Sequence, residues 1–171
     1  EHLSAVSVLA EVVRAELTGD AVVVAPDVGA AKLADRYAAL LNLPVAIVHK
    51  VRLSDQTVGV RRITGEVRDR VPLVVDDMIS TGGTIEAAIG AVREAGGKPD
   101  AVVVATHALL VGPAVERLQA LALRRLIVAD TVALPAELPV PIQVASIAPL
   151  LAEVIARLHE GRSLRDFLAR G

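Results

Sequence analysis

The sequence predicts an α/β fold built on a doubly wound, mainly parallel sheet. Three observations lead there. Short aliphatic runs alternate with helix-periodic segments along most of the 171 residues, the rhythm of successive strand–helix units. With 53% hydrophobic residues but one Phe, one Tyr and no Trp, the core has to be assembled from Ala, Val, Leu and Ile. Aliphatic, β-branched strands suit a parallel sheet covered by helices on both faces. The length is that of one domain with a sizeable core.

In chain order, Ser4–Leu17 reads as an amphipathic helix ended by Gly19, and Ala21–Ala25 as a buried strand. Ala30–Leu41 is the next helix and Pro44–Val48 the next strand. Val51–Val71 breaks the rhythm: Val58–Val60 and Glu66–Val67 are expected as short antiparallel strands of a hairpin or flap, with Gly59 and Gly65 near their turns. Then follow a strand at Leu73–Asp76, a helix at Ile85–Ala95 stopped by Gly96 and Gly97, a strand at Ala101–Ala105, a helix at Pro113–Leu121 and a strand at Leu126–Ala129. The proline-rich stretch Pro135–Pro141 is an extended connector to a short strand at Val144–Ser146. A helix from Ala148 to His159, a Gly161 stop and a last turn from Ser163 close the chain. Right-handed crossovers are expected throughout.

The chemistry concentrates where Leu73-Val74-Val75 runs into Asp76-Asp77 and then Ser80-Thr81-Gly82-Gly83-Thr84. Ligands gather at that end of a parallel strand. The unpaired N–H groups at the following helix start, the hydroxyls and the helix dipole all favour an anion, and the two glycines let it approach closely. Asp76 and Asp77 have the reach to accept hydrogen bonds from vicinal hydroxyls or to share a hard divalent cation with a substrate. The pattern therefore points to a sugar phosphate. Ordinary helix capping is the competing explanation, but a cap uses one side-chain acceptor and this stretch offers two carboxylates and three hydroxyls. Neither a Walker A loop nor a Gly-x-Gly-x-x-Gly dinucleotide fingerprint is present in this stretch.

Two further strand ends carry candidates. Pro26-Asp27-Val28-Gly29-Ala30 forms a turn of the kind that holds a diphosphate, with a plain N-cap by Asp27 as the alternative. His49-Lys50-Val51-Arg52 places two cations at the start of the flap, where they can close on phosphates; solvated loop charges are the alternative. The four histidines show no metal-ligand spacing, and without cysteine there is no zinc pattern or disulfide. His107, after a strand, reads as a hydrogen-bonded structural histidine, with a place near a subunit contact or a nucleotide as the alternative, and His159 as favourably placed for the dipole at a helix C-terminus.

The Asp76–Thr84 segment resembles the ribose-phosphate motif of the type I phosphoribosyltransferases. Glu1–Ala5, Val24–Gly29, Ala105–His107, Ala129–Thr131 and Ala148–Ser163 follow in the order found in the C-terminal half of the ribose-phosphate pyrophosphokinases, so the resemblance spans essentially the whole chain. It implies a phosphoribosyltransferase-type sheet with a short flap, and transfer of the diphosphoryl group of ATP, with Mg2+, to ribose 5-phosphate to give 5-phosphoribosyl 1-diphosphate (PRPP) and AMP. By the same resemblance Asp76, Asp77, Ser80, Thr81, Gly82, Gly83 and Thr84 bind ribose 5-phosphate. Asp27, Val28, Gly29 and Ala30 bind the pyrophosphoryl group, with Asp27 as a metal contact. Lys50 is the catalytic lysine and Arg52 helps to hold the sugar phosphate. Ala30 departs from the family, where a second glycine is common, and is tolerated only if its φ is negative.

Starting at Glu1, the chain resembles from its first residues the middle of a longer enzyme, so it is expected to be the C-terminal half of a two-domain protein or a natural half-length relative. The ATP-binding motifs of the other half are not in it. Two alternatives share the motif: a nucleobase phosphoribosyltransferase, and a regulatory subunit that keeps the fold while another chain does the chemistry. The resemblance also suggests homo-oligomers. A net charge of −2 with scattered basic residues gives no electrostatic footprint for nucleic acid. The charge-free run Leu138–Ala152, interrupted by Pro139, Pro141 and Pro149, is shorter than the ~20 residues that span a bilayer, so no membrane segment is expected. Without a signal peptide, the expected location is cytoplasmic.

Overall fold

The computed structural model describes residues 3–17, 19–49, 52–54, 57–58, 62–165 and 167, with the backbone alone at 52–54 and 57–58. Helix α1 (Val6–Glu16) leads into β1 (Ala21–Ala25), a short 3-10 turn at Val28–Ala30, α2 (Ala31–Leu41) and β2 (Val45–His49). After β3 (Arg52–Ser54), β4 (Thr57–Val58) and β5 (Arg62–Thr64) come β6 (Val71–Ile79), α3 (Gly83–Glu94), β7 (Val102–Ala108), α4 (Ala114–Ala120), β8 (Arg125–Ala129), β9 (Ile142–Ala145) and α5 (Ala148–His159).

Seven strands form one sheet in the order β5-β2-β1-β6-β7-β8-β9. Every pairing is parallel except that of β5 with β2. The chain steps outward from β1 to β2 and later returns to the other side of β1 with β6. The β1/β6 boundary is thus the switch point of the sheet, where open α/β folds bind ligands.

Strand alternation divides the core into two layers. Val23, Leu73, Val75, Val102, Val104 and Ile127 face Leu9, Val13, Ala34 and Tyr37 of α1 and α2. Val22, Val24, Val74, Val103, Leu126 and Val128 face Ile85, Ile89, Val92 and Leu118 of α3 and α4. Each fully buried aliphatic side chain contributes roughly 1.5–3 kcal/mol of transfer free energy, which is how a core nearly without aromatics holds the sheet. In α5 only Val154 is buried, while Leu151, Ile155 and Leu158 remain exposed.

The doubly wound sheet follows the expectation, with differences at the element ends. β6 does not stop at Asp76, and β7 does not stop at Ala105: their ladder continues through Met78 paired with His107 and Ile79 with Ala108. Polar side chains mark a loop only when the backbone lacks a partner, and here each extension supplies the other's. The flap differs more. Glu66–Val67 is not a strand; the edge partner of β2 is Arg62–Thr64, and the small separate antiparallel pair joins Arg52–Ser54 to Thr57–Val58. Gly59 and Val60 lie outside the described residues. The last strand is Ile142–Ala145 rather than Val144–Ser146. Gly96, at φ +86°, turns the chain out of α3 as expected, and Gly97 donates its N–H to Val92 O at 2.9 Å.

Candidate active site

The C-terminal ends of β1, β6, β7 and β8 open on a cleft of about 660 Å3 whose wall includes Asp27, Gly29, Ala30, Asp76 and Asp77. Asp27 follows β1 in extended conformation, and its Oδ1 accepts hydrogen bonds from the N–H of Gly29 at 2.9 Å and of Ala30 at 3.3 Å. The capping role weighed against a ligand role is therefore present in the structure, through one oxygen of the carboxylate. Ala30 has φ −84°, so the alanine that stands where the family commonly has glycine is unstrained. Val28 is 62% exposed and is not part of the cleft wall.

Asp76 and Asp77 occupy consecutive positions on the extended end of β6, so their side chains leave the strand on opposite faces, and both border the cleft. Asp76 Oδ1 accepts the Asp77 N–H at 2.9 Å. Burial, followed by the nearby negative charges of Asp77 and Asp27, raises the Asp76 carboxyl to about 7 against the backbone hydrogen bond that opposes it. Excess negative potential at this spot is what a bound cation or a set of hydroxyl donors relieves. Among the described residues no group of three or more His, Cys, Asp or Glu side chains is arranged to hold a metal by itself. The oxygen donors Asp27, Asp76 and Asp77 do suit magnesium, which keeps several waters and takes only one or two carboxylates alongside substrate phosphates.

Ser80, Thr81 and Gly82 form the loop immediately after β6, and Gly83 and Thr84 open α3; none of the five is part of the cleft wall. Gly82 is the N-cap of α3 at φ +75°, a left-handed conformation that favours glycine, and it offers no side-chain cap. The first N–H groups of α3 are thereby left for an outside acceptor. The loop is braced from behind: Leu110 and Val111 donate their N–H groups to the carbonyls of Ile79 and Ser80 at 3.1 and 3.0 Å. Arg117 of α4 donates from Nη1 to Thr81 O at 3.0 Å and pairs through Nε with Glu86 at 3.2 Å.

Lys50 lies outside the described residues, and Arg52 is placed through its backbone only, opposite Val58 in the small β3–β4 pair. Arg36 and His107 are among the wall residues that the sequence does not mark as site residues. Arg36, on α2 two turns after the diphosphate-type loop, lines the wall; its helical spacing from Asp27 was the available signal. His107 also lines the wall, at the end of β7, with Nδ1 2.9 Å from Thr131 Oγ1, so the hydrogen-bonded histidine expected there does face the cleft.

The phosphoribosyl transferase domain model matches residues 5–122. Among curated proteins, ribose-phosphate pyrophosphokinase of Streptomyces avermitilis is 42% identical over 168 residues, which is 96% of this chain and 52% of that protein. Among solved structures, phosphoribosylpyrophosphate synthetase from Mycobacterium smegmatis superposes with a TM-score of 0.79 at 36% identity, over 92% of this chain and 51% of that one. Orotate phosphoribosyltransferase from Aeropyrum pernix, at 20% identity and a TM-score of 0.58, shares the fold. The chain spans about half the length of the curated relatives it matches. Its matched residues, its sheet and the loop after β6 agree in one conclusion: the chain belongs to the phosphoribosyl transferase domain family.

Proposed function

We propose that this chain is the ribose 5-phosphate and diphosphate-binding half of a ribose-phosphate diphosphokinase, which transfers the diphosphoryl group of ATP to ribose 5-phosphate and yields PRPP and AMP. The observation that carries this reading is the meeting of Asp27 with Asp76 and Asp77 in one cleft at the switch point, beside the uncapped start of α3. The similarity to ribose-phosphate pyrophosphokinases supports it, and the half-length match supports a partner half that supplies the rest of the ATP site.

In this reading the first N–H groups of α3 and the hydroxyls of Ser80, Thr81 and Thr84 receive the 5-phosphate, with Gly82 and Gly83 allowing close approach. Asp76 and Asp77 accept from the ribose hydroxyls and fix the C1 hydroxyl for attack on the β-phosphorus, with AMP leaving. The turn Asp27–Ala30 receives the transferred diphosphoryl group. Asp27, with Asp76 and Asp77 in reach, would hold Mg2+, which supplies charge neutralisation when bound. Lys50 and Arg52 are assigned the cationic contacts to the phosphates. Homo-oligomeric assembly and a cytoplasmic location belong to the same proposal. No described helix is long and apolar enough to cross a membrane.

Isothermal titration of ribose 5-phosphate and of ATP, each with Mg2+, into this chain tests the proposal. Sugar-phosphate binding without tight ATP binding and with little AMP formation is expected. Unchanged ribose 5-phosphate affinity in both Asp77→Asn and Thr81→Val would refute the site, and turnover of PRPP with a free nucleobase would reassign the chain to the nucleobase transferases.

A further inference from the structure

We infer that His107 contacts the sugar, accepting a hydrogen bond from a ribose hydroxyl at Nε2, and that Thr131 is the positioning residue that sets its tautomer. The inference rests on the ribose 5-phosphate reading and adds two residues to it. Thr131, just beyond β8, donates its hydroxyl proton to Thr106 O at 2.8 Å. A hydroxyl has one proton to give, so toward His107 Nδ1, 2.9 Å away, Thr131 Oγ1 acts as acceptor and Nδ1 carries the hydrogen. That assignment follows from the hydrogen-bond network. In the neutral ring Nε2 is then an unprotonated acceptor, and it has no partner among the described residues.

The chemistry of the surroundings selects the ligand. In the β6–β7 register His107 shares the face of Asp76, and Asp77, leaving β6 on the other face, borders the same cleft. Carboxylate oxygens and an unprotonated Nε2 all accept hydrogen bonds. A phosphate, itself an acceptor, finds nothing to bond with there, whereas a polyol with vicinal hydroxyls supplies donors to each. Anionic groups are better served at the start of α3 and by Arg36, which also lines the cleft.

A purely structural histidine would need only its Nδ1 bond, and substitution separates the two roles. Asn at 107 keeps a donor near the position of Nδ1 and removes Nε2; Gln keeps an acceptor near Nε2. The test titrates ribose 5-phosphate into the wild-type chain, H107N, H107Q, T131V and T131S, while long-range 1H–15N correlation follows the His107 nitrogens. Expected are a roughly ten-fold weaker Kd in H107N at unchanged thermal midpoint, near-normal binding in H107Q and a shift of the Nε2 resonance on adding ligand. T131V is expected to mix the ring tautomers and weaken binding about three-fold, and T131S to restore both. Wild-type binding with H107N unaffected and Nε2 unshifted would overturn the assignment while leaving the proposed function intact. Failure of the wild-type chain to bind ribose 5-phosphate would overturn both.

Discussion

Asp77 donates its backbone N–H to the Asp76 carboxylate at 2.9 Å, so two adjacent acidic residues are tied through the main chain while their side chains diverge from the strand. The bond favours an ionised Asp76, yet burial outweighs it and the carboxyl is raised from 3.8 to about 7.

The first prediction follows from that shift. Between the unfolded value of 3.8 and the folded value of about 7, the native state holds a proton that the unfolded state has released, so stability falls as pH rises through this window and stays lower above it. In EDTA, Asp76→Asn should match the wild type below pH 4 and exceed it above pH 7. Because the side chain is partly solvated, the gain is of the order of 1 kcal/mol, or roughly 2–4 °C in thermal midpoint. Melting curves at pH 4, 6 and 8 check this; a difference independent of pH would refute it.

Arg117 braces the phosphate-type loop through Thr81 O, whereas its ion pair with Glu86 is half-exposed and of small energetic weight. Arg117→Met should therefore weaken ribose 5-phosphate binding about three- to ten-fold at a stability cost under about 1 kcal/mol. Equal loss in the two measurements would mean that the arginine serves the fold, not the loop.

Gly82→Ala introduces a Cβ at φ +75°, where the nearest heavy atoms, of Ala114, are 3.6 Å away. Space is adequate, so the penalty is conformational, about 1–2 kcal/mol. Chemical denaturation should register that cost, and titration a larger fractional loss of sugar-phosphate affinity, since the strained residue is the N-cap of α3.

Ala122 sits at φ +48° on the exposed turn between α4 and β8. Ala122→Gly relieves the left-handed penalty and should stabilise the chain by about 0.5–1 kcal/mol with ligand affinity unchanged. A lower midpoint would show that unfolded-state entropy dominates. Ala30, at φ −84°, has no such strain, and Ala30→Gly is expected to destabilise.

The alternation of aliphatic strands and helices was legible because both faces of the sheet are buried: every residue of Ala21–Ala25 is interior. The acidic pair, the glycine pair and the Asp27 turn were legible because their chemistry is local. The ends of β6 and β7 were not, since Asp77–Ile79 and Thr106–Ala108 lack a strand-like pattern and become strand by pairing with each other. The partner of β2 was misplaced for a similar reason: Arg62–Thr64 carries little apolar pattern, because edge strands are half solvated. His107 looked structural because the residue that orients it, Thr131, follows a different strand and no spacing rule connects them.

The adjacency of β1 and β6 also bears on how the site comes into being. Ala21 and Val71 pair across a long excursion of chain that includes α2, β2 and β5. Contacts of that sequence separation form against loop-closure entropy and make folding slow. Asp27 and Asp76 therefore become neighbours only when the centre of the sheet has closed, and a partly assembled chain has no cleft to offer. A sugar phosphate bound there engages the completed sheet alone, so its binding free energy is expected in the kinetics as slower unfolding, with the rate of refolding unchanged.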